Sequence, residues 1–134
     1  MTVTLTIPGA LNMLMEELLP ASTVPGGGSA TLALPVLLPG GGCVTVSIIG
    51  NDGLFTVTDD AVGLFAANYC DSRCNYVAAA TPIAEECGID IGAGCLSIVG
   101  VSADQLVAAV TMVANASARS AWEAVRVAKQ GDAP

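Results

Sequence analysis

Hydrophobic positions recur along this chain with two different periods, and the periods divide it into elements. Thr2 to Thr6 alternates threonine with Val3 and Leu5, a period of two that predicts a short strand. Pro8 suits a first helical position, and Ala10, Leu11, Leu14, Met15, Leu18 and Leu19 then return at helical spacing with Glu16 and Glu17 outside, until Pro20 stops the run. Beyond a Gly-rich loop the pattern turns to β. Leu34 to Leu38 and Cys43 to Ile49 flank the triplet Gly40 to Gly42, and Gly50-Asn51-Asp52-Gly53 leads into Leu54 to Thr58. These runs predict a three-stranded antiparallel meander, with Pro35 at an edge or a bulge because it cannot donate to a ladder.

At Thr58-Asp59-Asp60 the period changes from two to the helical one. A helix of roughly 60–67 is expected, capped by Thr58 or Asp59, with both acids beside its positive end and Leu64 and Phe65 facing inward. Asp71 or Ser72 can start a second helix through Cys74, Val77 and Ala78; Thr81-Pro82 breaks or restarts it, and Gly88 ends it. Ile89 to Ile91 and Cys95 to Ile98 around Gly92-Ala93-Gly94 read as a short hairpin. Ser102-Ala103-Asp104-Gln105 matches a capping box and opens a long helix to about Gln130, ended by Gly131. Its apolar face holds Leu106, Val110, Val113, Ser117, Ala121 and Val125, and Trp122 near this seam is expected in the core or a dimer contact. The fold class expected is α+β: one domain over 1–134, a meander and a short hairpin packed against three to four helices. Its core spans about 30–129, and the strand and helix of 2–19 pack on it.

Composition adds an expectation about surfaces. Hydrophobic residues make up 53% and charged residues 12% of the chain, the latter about half the usual share of roughly 25%. So poor a supply of charge predicts apolar surface buried against another copy, through the apolar helices, or against a partner. The long uncharged run from Leu18 to Asn51 is broken by Pro20, Pro25, Pro35 and Pro39 and by two Gly triplets, and Gln105 to Ala118 is too short for a span of ~20 apolar residues. No membrane segment is expected. Because Met1 to Thr6 lacks the basic region of a secretory signal, a cytoplasmic location is the expectation.

Net charge is −8, from twelve acids and four bases. That balance argues against a nucleic-acid surface, which needs clustered Lys and Arg, and favours basic proteins or small molecules as partners. The glycines at 26 to 28 do not make a phosphate-binding loop, since no lysine precedes position 129. Five cysteines, Cys43, Cys70, Cys74, Cys87 and Cys95, are expected as reduced thiols; Cys70 and Cys74 with Cys87 or Cys95 are the conceivable zinc ligands, but without histidine or a C-x-x-C pair no metal or other cofactor is expected.

The segment Phe55-Thr56-Val57-Thr58-Asp59-Asp60, with Pro35, Gly40 to Gly42, Leu64, Gly88-Ile89, Leu96 and the helix from Ser102, resembles an uncharacterised domain family of bacteria and their phages, domain of unknown function eighteen twenty-eight. The resemblance covers roughly 30–129. Its short specific motif is Thr-Asp-Asp-Gly, whose glycine is Ala61 here, a departure that weakens the case for a special backbone conformation at that point. The family brings no established activity. Its phage members, with the small size and acidity of this chain, point to a virus-encoded inhibitor of a bacterial defence system, of the anti-CRISPR kind.

Catalysis by Asp59 and Asp60 is disfavoured on chemical grounds. Adjacent residues at a strand end point apart, no histidine is present to act as a base, and the one cation beside a thiol is Arg73, next to Cys74. The function expected is a non-enzymatic interaction or regulatory module that presents an acidic surface to a basic protein, with Thr58, Asp59, Asp60, Arg119 and Trp122 as candidate binding residues. The alternatives are a small-molecule site near Thr58 to Asp60 and the Gly-rich loops, or an enzyme using Asp59 and Asp60.

Overall fold

A computed structural model describes residues 28–131. The strand and helix expected within 2–19 lie outside the described residues. In chain order the elements are β1 (Gly28–Leu37), β2 (Cys43–Asn51), β3 (Leu54–Thr58), α1 (Val62–Cys70), α2 (Tyr76–Cys87), β4 (Asp90–Gly92), β5 (Cys95–Val101) and α3 (Leu106–Gln130). The strands form one antiparallel sheet in the order β1-β2-β3-β5-β4, so the meander and the short hairpin join edge to edge through β3 and β5. The expected α+β class, meander, hairpin and long C-terminal helix are all present.

Alternation decides which side of the sheet is covered. Leu34, Val44, Val46, Ile48, Phe55, Val57 and Leu96 point to one face and are buried there, under α3, which runs across β1, β2, β3 and β5. The predicted face of α3 is inside along its whole length: Leu106, Val110, Val113, Ser117, Ala121 and Val125 are all buried. Its many alanines and serines let α1 and α2 lie close against it. Among the described residues no helix is long and apolar enough to cross a membrane.

The β1–β2 hairpin turns through Gly40 and Gly41, at φ of 90° and 95°, a region open mainly to glycine. Pro35 falls where it was expected, on an outer strand and within the register shift between Ala33 and Leu37.

Four local expectations are corrected. The second helix begins at Tyr76, capped by Asn75, whose side chain accepts from the Ala78 amide at 3.2 Å; neither Asp71 nor Ser72 starts it. Helix α2 also runs unbroken through Pro82, the preceding Thr81 hydroxyl donating to the Val77 carbonyl at 2.6 Å. Ser102 makes no capping-box bond. Its hydroxyl donates to Asp104 at 2.6 Å, and a short 3-10 turn, Ala103–Gln105, intervenes before α3. Finally Phe65 points outward, 67% exposed, because the inward line of α1 is taken by Gly63 and Ala67.

Candidate functional site

The end of β3 carries the two adjacent acids, and the strand's alternation sends them to opposite environments. Asp59 is completely buried. Its Oδ1 accepts from the Ala61 amide at 3.0 Å and from the Leu96 amide at 2.9 Å, and its Oδ2 accepts from the Ser117 hydroxyl at 2.7 Å. Its backbone amide in turn donates to the Leu96 carbonyl at 3.1 Å, and its carbonyl accepts from Val62 at 3.0 Å. One side chain therefore ties the β3–α1 joint to β5 and to the middle of α3. Taking a carboxylate out of water is expensive unless donors replace the lost hydration, and here three buried donors do.

Neither acid caps α1 in the expected way. The residue before the helix is Ala61, which has no side-chain cap to offer, and Asp59 holds the Ala61 amide rather than an amide of the first helical turn. Thr58 Oγ1 instead accepts from the Asp60 amide at 3.2 Å, closing a small turn. Asp60 and Ala61 stand at φ of 51° and 63°. The left-handed conformation is thus present where the Thr-Asp-Asp-Gly pattern carries glycine, although this chain carries Ala61, contrary to what the departure suggested. Ala61→Gly should relieve that backbone strain and raise stability by about 1 kcal/mol in urea unfolding.

Around Asp59 sits a group of buried hydroxyls. Ser117, Ser120 and Tyr76 are all buried, and a Cβ placed on Gly63 would come within 2.7 Å of Ser117 Oγ and 2.8 Å of Tyr76 Oη. Gly63 is therefore the point where α1 presses its backbone against α3 and α2. Burial, with the Asp59 carboxylate nearby, pushes the Tyr76 phenol up and keeps it protonated.

Asp60 belongs to the other face. It is exposed, and Ser47 Oγ donates to its Oδ2; Ser47 lies 3.3 Å from Thr31 Oγ1. The strand registers extend this line across the sheet: Thr31, Ser47, Thr58, Ser97 and Asp90 are successive cross-strand partners. Beside this hydroxyl row Ile49, Leu54 and Val99 are exposed at 43%, 48% and 67%. Nothing in the sequence pattern singled this row out, because its members are far apart in the chain; the alternation within each strand was the available signal.

The remaining candidates are not brought to this joint. Arg119 is exposed on α3 and pairs with Glu86 of α2 at 3.0 Å. Trp122 is 51% exposed and its Nε1 donates to the Leu37 carbonyl at 3.0 Å, so it latches the end of β1, and of its two expected places, core or dimer contact, the core is excluded. The seam passes through its neighbour Ala121, which is buried. The larger groove, about 610 Å³, lies between α2 and the end of α3 and is lined by Arg73, Ala78, Pro82, Glu123 and Val127 among others; a second of about 300 Å³ lies near Ile98 and Met112. Neither Asp59 nor Asp60 lines either one.

No family model, curated protein or solved structure matches the chain. Two thiols are disfavoured as thiolates: Cys74 is pushed up by burial and by Asp71, and Cys95 by burial and by Asp59 and Asp60. Arg73, the cation beside Cys74, grips Asp71 through Nε at 2.9 Å and Nη2 at 2.7 Å, and this hydrogen bonding lowers Asp71 from 3.8 to about 2. Among the described residues no three Cys, Asp or Glu side chains are grouped to hold a metal ion.

Proposed function

We propose that this protein is a non-enzymatic interaction module that uses the outer face of its sheet to hold a basic segment of another protein, and that it acts as an inhibitor by occupying that segment on a bacterial defence protein. The observation that carries the reading is the segregation of charge. The four bases are Arg73, before α2, and Arg119, Arg126 and Lys129 on α3; three of them are held by Asp71, Glu86 and Glu123. The sheet carries no base at all. Its acids Asp52, Asp60 and Asp90 are exposed, beside the exposed Ile49, Leu54 and Val99. A flat face with acids, hydroxyls and a few large apolar side chains suits a partner that brings Lys or Arg together with apolar residues.

Capture from host lysate at roughly 0.1 and 0.5 M NaCl tests this, because the higher salt shortens the screening length to a few ångströms. A basic protein should be recovered at low salt, and recovery should fall at high salt, with Ile49→Asp, and with Asp60→Asn combined with Asp90→Asn. Recovery indifferent to salt and to both variants would contradict the reading.

A further inference from the structure

The two edges of the sheet are built differently. β4 has three residues, carries Asp90, and follows Glu85 and Glu86 at the end of α2. Short length and like charge are the usual means by which an edge strand avoids pairing with another chain. β1 has ten residues, Gly28 to Leu37, and not one is charged; its only protective feature, Pro35, lies near its end. It pairs with β2 in regular register from Gly28 to Ala33, and no described strand lies on its other side. Ser29, Thr31 and Ala33 stand exposed on the outer face, small enough for a neighbouring strand to approach, while Leu32 and Val36 on the inner face are half-buried against the core.

We infer that β1 is the dimer interface of this protein, pairing antiparallel with β1 of a second copy about a two-fold axis to make one continuous ten-stranded sheet. Charge selects a second copy at this edge and forbids it at the other. Each chain carries a net −8, so association must keep acids apart. Among the described residues the acids nearest β1 are Asp60, reached through Ser47 on β2, and Asp52 beyond the end of β2. At a strand spacing of about 4.8 Å, β1 pairing leaves the two Asp60 carboxylates roughly 15–20 Å apart, beyond a Debye length of ~8–10 Å. Pairing through β4 would instead set Asp90 against its own copy. An isologous contact of this kind needs no charge complementarity, which the uncharged β1 lacks, and the helix faces are left free. This inference does not depend on the partner reading above.

Sedimentation velocity and hydrogen exchange on the full chain test it. At about 100 µM, far above the concentration needed for micromolar pairing, the wild type should show twice the 13.3 kDa chain mass. Thr31→Lys combined with Ala33→Lys should weaken the dimer at least tenfold, and Val99→Lys, on the same sheet face but away from the edge, should leave it intact. Amides of Gly28 to Ala33 should gain protection as concentration rises. Because that exchange is measured on the wild type, it decides the matter even if the lysine variant fails to fold. A single-chain mass at 100 µM, a dimer unaffected by the two lysines, or β1 protection independent of concentration, as when another segment of the same chain covers the edge, would each overturn the inference.

Discussion

Asp59→Ala should lower the unfolding free energy by about 3–5 kcal/mol, the scale set by leaving several buried hydrogen-bond donors unsatisfied at once. The substitution strands the amides of Ala61 and Leu96 and the hydroxyl of Ser117, all buried, without an acceptor. Each orphaned donor carries a penalty of about 1–3 kcal/mol, and the three do not add fully because the site can relax. Against a total of about 5–15 kcal/mol for an ordinary domain, this is enough to leave a marginal fold partly unfolded at room temperature. The loss should appear in urea unfolding followed by far-UV circular dichroism. It should also accelerate exchange of the Leu96 amide, since β5 loses a tie to β3.

The second large effect is expected at Gly63, where two tendencies oppose each other. Alanine is the better helix former by about 1 kcal/mol, which alone would stabilise α1. A Cβ there, however, would lie 2.7 Å from Ser117 Oγ and 2.8 Å from the Ser117 carbonyl oxygen. The hydroxyl can turn away only by giving up Asp59, and the carbonyl is backbone of α3 and cannot move without it. Overpacking of a tight core typically costs about 1–3 kcal/mol, and the lost Ser117–Asp59 bond adds to it, so Gly63→Ala should destabilise by about 2–3 kcal/mol net in the same urea assay. A stabilised variant would show that α1 is not pressed against α3 as described.

Much of this architecture was legible in the sequence because it follows from periodicity. The turn glycines, the alternation of Val44, Val46 and Ile48, and the long face from Leu106 to Val125 each state their structure locally. What was not legible depends on contacts between distant residues. The partners of Asp59 include Leu96 and Ser117, and no local pattern links position 59 to either. The same reason hid the row from Thr31 to Asp90. A helical face one residue wider would bury Trp122 in the core; the structure narrows the seam to Ala121 and lets the indole latch Leu37. Hydrophobicity alone places Phe65 inward, whereas α1 turns its smallest residues, Gly63 and Ala67, toward α3. At Ala61 the departure from glycine weakens the case for a special backbone, yet the hydrogen bonds around it hold φ at 63°.

The account rests on adjacent acids with opposite tasks, Asp59 holding the fold and Asp60 facing outward. The most direct test compares Asp59→Asn and Asp60→Asn, which alter charge and hydrogen bonding with almost no change of shape. Equilibrium unfolding in urea should show Asp59→Asn destabilised by about 2 kcal/mol and Asp60→Asn within about 0.5 kcal/mol of the wild type. Equal losses, or a larger loss at Asp60, would contradict the division.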